Sequence, residues 1–549
     1  DMTWTGGNST QNWNDYANWS PNGIPGIHTP VTIQTTSRYP KLTANVSAES
    51  VTVNSGAELD LTHYTIKKGP PTAKLTNNGT IKMTGSGDQL SWFIAGNNDN
   101  ITLGNTSTVE YYDAPPSNAN AWAGPYENLK VSGTRQNLRA ASITVNKDFT
   151  VASPSFAQAA GNFIFNGSST IGGTGTISFY NLTVASSKSV TLNKDIAVGG
   201  AFINNNGATF NASTYNITLN GTFSNSGTFN STDGTNNSLT FNSSFTNSGT
   251  FNANADNITF TGTTFTNSGT FAAGTNNTVI LTNGADHTIT GNTAAGSIGT
   301  QNNTDFHNLV CINAGGKHIR FDKKISVHGN LTLQGSSINN VLNISGTNNN
   351  AEIYVKSNQG TALGYECKWL GVATNLPIKS LTSSTYTCTT DESKPTGNTN
   401  DIEAGKPENW IFTNVYELRW TGEANDNNWN NPNNWRPRTS HAPKPTQFAT
   451  VRAVAAGKHP ILGSGDYYAK KVEVVGTATL DLADKLIYSN TAKTATAELT
   501  AKGTLRLKGT DGQKSWFVHS NPSNKMTITQ NSTVEYYSAP PIIKLWGGG

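Results

Sequence analysis

Six tryptophans are the residues best placed to hold a ligand. Trp4, Trp13 and Trp19 recur at matched spacing as Trp420, Trp429 and Trp435. An indole face can stack on a sugar ring, so each set is a candidate glycan platform. The same rings can serve as buried anchors. The residues between them vary freely, with Asn8-Ser9-Thr10-Gln11 standing against Ala424-Asn425-Asp426-Asn427. That tolerance suits an internal anchor better than a selective site. Two Asn/Asp-rich stretches, 97–100 and 425–428, offer oxygen ligands of the kind calcium takes. Neither has the glycine and terminal glutamate of an EF-hand loop, so polar turns without a cofactor are the first expectation.

Acid–base chemistry has weaker candidates. Within 202–281 the only acids are Asp233 and Asp256, both in polar, turn-like runs. Asp60 and Asp481 lie between leucines and are expected to point outward on a solvated strand face. Glu110 and Glu535 stand beside paired tyrosines and read as structural or surface groups. The histidines are scattered, and no Cys/His spacing resembles a zinc site. Cys367 and Cys388 flank an irregular segment and are a candidate disulfide, which would suit an oxidising, extracellular setting. Cys311, in Leu309-Val310-Cys311-Ile312, reads as a buried small hydrophobe. No catalytic residue and no metal ligand is expected, and the chain reads as non-enzymatic.

The elements that would carry these residues are short repeated strands. Phe223-Ser224-Asn225-Ser226-Gly227-Thr228-Phe229 is nearly repeated from Phe245 to Phe251 and from Phe265 to Phe271, with a weaker copy from Phe202 to Phe210. The leading phenylalanines are separated by 21, 22 and 20 residues, a period that means stacked supersecondary units. The units are made of Phe, Thr, Val, Ile, Asn and Gly, which favour strands and turns. The fold expected is all-β, a right-handed parallel β-helix, or β-solenoid. Phe and Ile should face the core, and Asn-x-Gly should make the bend because both residues tolerate a left-handed backbone. Asn above Asn in successive coils should form amide ladders.

A longer repeat overlies the short one. Trp4-Thr5-Gly6 matches Trp420-Thr421-Gly422, Ser91-Trp92-Phe93 matches Ser515-Trp516-Phe517, and Thr108 to Tyr112 matches Thr533 to Tyr537. Residues 1–135 and 418–549 are therefore two copies of a Trp-rich module, the second truncated. Between them, 136–345 reads as a central stack and 346–417 as an irregular segment. Within the latter, 385–408 is expected to be a loop or linker and 409–417 a closing strand. The chain is expected to be a piece of a longer tandem array.

Composition excludes some partners. Of the 549 residues 13% are charged, and the net charge is +3, without the basic signature of nucleic-acid binding. No apolar run approaches the roughly 20 residues of a membrane-spanning helix. Asn-x-Ser/Thr sequons, as at Asn18, Asn45, Asn78, Asn216 and Asn257, are abundant, as an Asn/Thr-rich chain produces by chance.

The coil pattern resembles the parallel β-helix regions of large secreted bacterial surface proteins, of the filamentous haemagglutinin and autotransporter-passenger kind. The Trp-x-Gly opening, the Asn-Trp dipeptide and the Asn-Leu-x-Val strands are similar to repeats in long bacterial surface proteins. The resemblance implies an extracellular, cell-surface location and a structural or adhesive role. It carries over no catalytic residue. Expected partners are other copies of the chain, end to end or laterally, and host or matrix glycans or proteins. A glycan-binding or glycan-degrading β-helix protein is the alternative.

Overall fold

The computed structural model describes residues 1–68, 73–85, 89, 101–113, 121–138, 140–231, 238–254, 257–274, 277–291, 304–337, 340–355, 366–373, 375–380, 388–391, 394–396, 410–413, 417–436, 441–510, 513 and 526–537. Contacts group the chain into two units. One comprises Asp1–Leu281 with Ile289–Asn308, the other Thr282–Thr288 with Leu309–Gly549.

The first unit is a parallel β-solenoid, as the period requires. One coil runs through Phe202–Asn204, Thr209–Asn211 and Ile217–Leu219, and the next begins at Phe223–Asn225. Each of the three strands pairs with its equivalent one coil later, so three parallel sheets run along the stack. One of them holds eleven strands, from Glu58–Asp60 to Thr270–Ala273. It passes residue 135 without interruption: Asn128–Ser132 pairs with Thr108–Tyr112 on one side and Phe149–Val151 on the other.

Register follows the phenylalanines. Phe202, Phe223, Phe245 and Phe265 are successive Cα partners, as are Phe210, Phe229, Phe251 and Phe271. In the first column the rings stack at 5.3, 5.0 and 4.6 Å. In the second they stack at 5.2, 5.0 and 4.9 Å. These spacings are close to the strand separation of about 4.8 Å, so each column contributes one ring per coil to the core. Burying such a ring contributes about 2–3 kcal/mol.

The bends are also in register; Gly207 takes the expected left-handed backbone (φ 70°), but the later glycines are required for a different reason. Gly249 is not in the left-handed region. A Cβ there would meet the carbonyl oxygen of Gly227 at 2.0 Å, and Gly269 stands in the same relation to Gly249. Glycine is required because coils approach backbone to backbone at the bend.

Each Trp-rich module opens the same way. In copy 1, Met2–Trp4 pairs in parallel with Pro30–Ile33, and on its other edge it pairs antiparallel with Trp19–Ser20. In copy 2, Glu417–Trp420 pairs in parallel with Phe448–Val451 and antiparallel with Trp435–Arg436. A two-residue returning strand thus occupies the first edge of each parallel sheet. Between strand and return lies a single 3-10 turn, Tyr16–Asn18 or Pro432–Asn434, capped by Asp15 or Asn431.

In the second unit the coils run further than expected. Residues 385–408 were expected to be a loop, but Cys388–Asp391 and Lys394–Thr396 are strands inside it. Cys388–Asp391 pairs with Trp410–Thr413, and Lys394–Thr396 with Leu370–Ala373. Three or four residues suffice to add a rung to an existing parallel edge, even without an apolar alternation to announce it.

Candidate functional site

The six tryptophans come together as two triads of matching geometry. Trp19 packs edge-on against Trp4 and Trp13 at 5.1 and 4.8 Å, and Trp435 against Trp420 and Trp429 at 5.2 and 4.6 Å. Trp4 Nε1 donates to Arg38 O at 2.7 Å, and Trp420 Nε1 to Lys458 O at 2.8 Å. Trp19 Nε1 donates to Trp13 O, and Trp435 Nε1 to Trp429 O, both at 2.7 Å. Beneath the turn, Asn18 and Asn434 are wholly buried and accept from the amides of Asn8 and Ala424.

None of the six rings is more than 1% exposed. The glycan platform expected of Trp4, Trp13, Trp19, Trp420, Trp429 and Trp435 is therefore corrected: no ring face is open to a sugar. The rings fill the core beneath the strand and return that open each module. The sequon at Asn18 is equally inaccessible.

The acids form the second site. Lys41, Asp60, Lys82, Glu110 and Lys130 occupy one register column, alternating in sign. In copy 2 the column reads Ile461, Asp481, Arg506, Glu535. Asp60 and Asp481 were expected to be solvated, yet they are only 8% and 3% exposed. They do lie opposite the core-facing leucines, but tyrosines two coils away cover them. Tyr112 Oη donates to Asp60 Oδ1 at 2.6 Å, and Tyr537 Oη to Asp481 Oδ1 at 2.7 Å. The same oxygens accept from Thr62 N at 2.8 Å and Ala483 N at 2.9 Å. The remaining oxygens face Lys41 Nζ at 3.6 Å and Arg506 Nη1 at 3.2 Å. Glu110 is likewise buried, ion-paired with Lys130 at 3.2 Å and bonded to Ser132 Oγ.

Burial, reinforced by the bond to Asp481, pushes the Tyr537 phenol up to about 12. Burial and the bond to Asp60 likewise raise Tyr112. Both phenols stay protonated as donors, and both oxygens of each aspartate are engaged. The arrangement is a staple across coils.

The calcium candidates divide. Residues 97–100 lie outside the described residues, as do Asp233, Asp256 and His519. At 425–428, the Asp426 carboxylate accepts from Asn431 Nδ2 and Asn434 Nδ2, each at 2.6 Å, and from Asn428 N at 3.0 Å. Burial alone would raise its pKa, but these donors hold it below the usual carboxylate range. Hydrogen-bond donors converge on the carboxylate where a cation would need acceptors, so residues 425–428 form a hydrogen-bonded polar turn. Among the described residues no group of three or more acids, histidines or cysteines is placed to hold a metal ion.

The disulfide is corrected as well. Cys367 is a buried free thiol with Sγ 3.9 Å from Leu331 O. Lys368 pairs with Asp391, so Cys367 and Cys388 are offset by two residues along neighbouring strands.

No family model, curated protein or solved structure matches the chain.

Three features escaped sequence reasoning. Gln89 donates to Thr62 O and Tyr64 O and accepts from Gly85 N, and Gln513 does the same with Ala483 O, Lys485 O and Gly509 N. The shared Gly-to-Gln spacing in the two copies was the available signal. A groove of about 610 Å³ is lined by small residues of successive coils, among them Ala121, Ala140 and Ala159. Beside its wall lies Arg135, 1% exposed. Nothing in the residue types announced either.

Proposed function

We propose that the chain is a structural or adhesive protein of a bacterial cell surface, extracellular and without enzymatic activity, built of tandem β-solenoid modules. The observation that carries this reading is the returning strand that occupies the first parallel edge in both Trp-rich modules. A bare edge is a template for unwanted pairing, and repeat folds need a cap at their ends. A module that starts with its own cap suits a tandem array in which each module folds by itself. The long parallel ladders and the Phe and Asn columns supply stiffness without a cofactor or a reaction centre.

Association with further copies then uses the other end of a stack or its lateral faces, since the Trp-capped edge is already paired. Host or matrix glycans and proteins remain the partners expected of a surface role. The test is negative-stain electron microscopy of natively purified material, with a carbohydrate array run beside it. Rods or filaments with an axial repeat set by the module support the reading. Compact separate particles that turn over a soluble glycan would overturn it.

A further inference from the structure

Arg135 is a buried cation that lacks a counter-ion among the described residues. It follows the strand Asn128–Ser132, and its amide bonds back to Ser132 O at 3.1 Å. Nε donates to Asn137 O at 2.5 Å and Nη1 to Thr84 O at 3.0 Å. The guanidinium carbon lies 5.7 Å from the centre of the Tyr111 ring. Among the described residues Nη2 has no acceptor and the buried hydroxyl of Thr84 has no partner.

The neighbouring phenols do not neutralise the charge. Tyr126 Oη donates to Trp122 O at 2.8 Å, and the two phenol oxygens lie 2.9 Å apart, so Tyr111 donates to Tyr126. Trp122 N closes the ring of bonds onto Tyr111 Oη at 3.3 Å. Burial raises both phenols above their ordinary range, so both remain neutral. A guanidinium stays protonated in such surroundings. Buried charges in folded proteins are paired, because desolvation is too costly otherwise. Two side-chain donors, Nη2–H and Thr84 Oγ–H, are therefore left over on two residues that the bond from Nη1 to Thr84 O ties together.

We propose that Arg135 and Thr84 form a binding site for a small monovalent anion, a halide such as chloride. One positive charge and two free donors match a single-atom anion. A phosphate or sulfate would bring more charge and more acceptor oxygens than the site can serve. The segments that hold the site are also walls of the alanine-lined groove: Ala121 and Ala123 flank Trp122, and Asn137 carries the carbonyl that holds Nε.

The test is thermal unfolding of the full chain in sodium chloride against sodium gluconate at equal ionic strength, with crystals grown in bromide. The expected result is a melting temperature that rises and saturates with chloride, and an anomalous bromide peak beside Arg135 Nη2. Thr84→Val keeps the shape and the backbone carbonyl and removes one donor. It should raise the chloride concentration at half-effect by about tenfold, as loss of a hydrogen bond to a charged group does. Arg135→Met should abolish the chloride dependence; if it fails to fold, Thr84→Val alone decides. The proposal is overturned if the wild type melts alike in chloride and gluconate, as a bound water would give. A Thr84→Val variant with an unchanged chloride midpoint, or bromide absent from Arg135, would overturn it equally.

Discussion

Asn225 Nδ2 donates to Asn247 Oδ1 at 2.7 Å across one coil of the stack, with both side chains buried. The relation is propagated. Asn204 donates to Asn225 at 2.8 Å, Asn247 to Asn267 at 2.7 Å, and Asn267 to Thr304 Oγ1 at 2.8 Å. The amides of Asn204, Asn225 and Asn247 also reach a backbone carbonyl of the next coil, as Asn225 does to Thr250 O at 3.0 Å. At the head of the column the residue one coil earlier is Val184, and Asn204 Oδ1 has no donor.

A middle rung should therefore matter more than the first. Asn225→Ala orphans Asn247 Oδ1 and removes the acceptor of Asn204. Asn204→Ala orphans only Asn225 Oδ1. We expect a loss of about 2–4 kcal/mol for Asn225→Ala and about half of that for Asn204→Ala. Guanidinium unfolding midpoints measure it, and equal shifts would show that the column is not energetically connected.

Gly249→Ala sets a methyl group against the carbonyl oxygen of Gly227, backbone against backbone. No flexible side chain can yield, so the coils must spread. A loss of about 1–3 kcal/mol or more is expected. An unchanged unfolding midpoint would mean that the bend relaxes freely.

Trp19→Ala removes the central ring of a triad. The expected cost is about 3–5 kcal/mol, local to the first module because repeat folds transmit little beyond their neighbours. Limited proteolysis should cut within 1–60 while the Phe-stacked coils stay protected. Intact resistance at 1–60 would contradict an anchoring role.

The ion pairs of the two modules should differ in weight. Lys41 is 49% exposed on its side chain and lies 3.6 Å from Asp60, so Lys41→Met should change stability by less than about 1 kcal/mol. Arg506 touches Asp481 at 3.2 Å and Glu535 at 2.9 Å, and no lysine replaces it at position 461. Arg506→Met leaves Asp481 buried without its ion-pair partner and should cost about 3 kcal/mol. Denaturation of the two variants under one condition ranks them, and the reverse order would refute the assignment.

Alkaline pH should loosen the second Trp-rich module. The Tyr537 phenol titrates near 12 when folded and near 10.0 when free. Its contribution is fully present below the unfolded value and is lost as pH rises through the folded one. Stability should fall between these two values. Tyrosinate absorbance should show a late-titrating phenol, and Tyr537→Phe should lose that late step. A phenol ionising with the exposed tyrosines would disprove the buried bond to Asp481.

The coils were legible in the sequence because each rung restates the last: Phe202, Phe223, Phe245 and Phe265 are both a period and a register. Which sheet a strand joins was not. Asn128–Ser132 and Asn181–Val184 share the Asn-Leu-x-Val pattern, yet they lie in different sheets. The pattern encodes a half-buried strand, and sheet membership depends on the lengths of the intervening bends. Burial of Asp60 was hidden because its cover, Tyr112, lies 52 residues away, and alternation within one strand says nothing about what a later coil lays over it. Arg135 was hidden for the same reason, since its surroundings are assembled from Thr84, Tyr111 and Asn137.

The returning strand at Trp19–Ser20 and its counterpart at Trp435–Arg436 also bear on how such a chain lengthens. A duplication that copies the module copies its lid along with its body. The new stretch arrives with its leading edge already sealed, so growth in gene length adds material without adding a sticky face. An insertion that began one coil later would lack that lid and expose a raw edge.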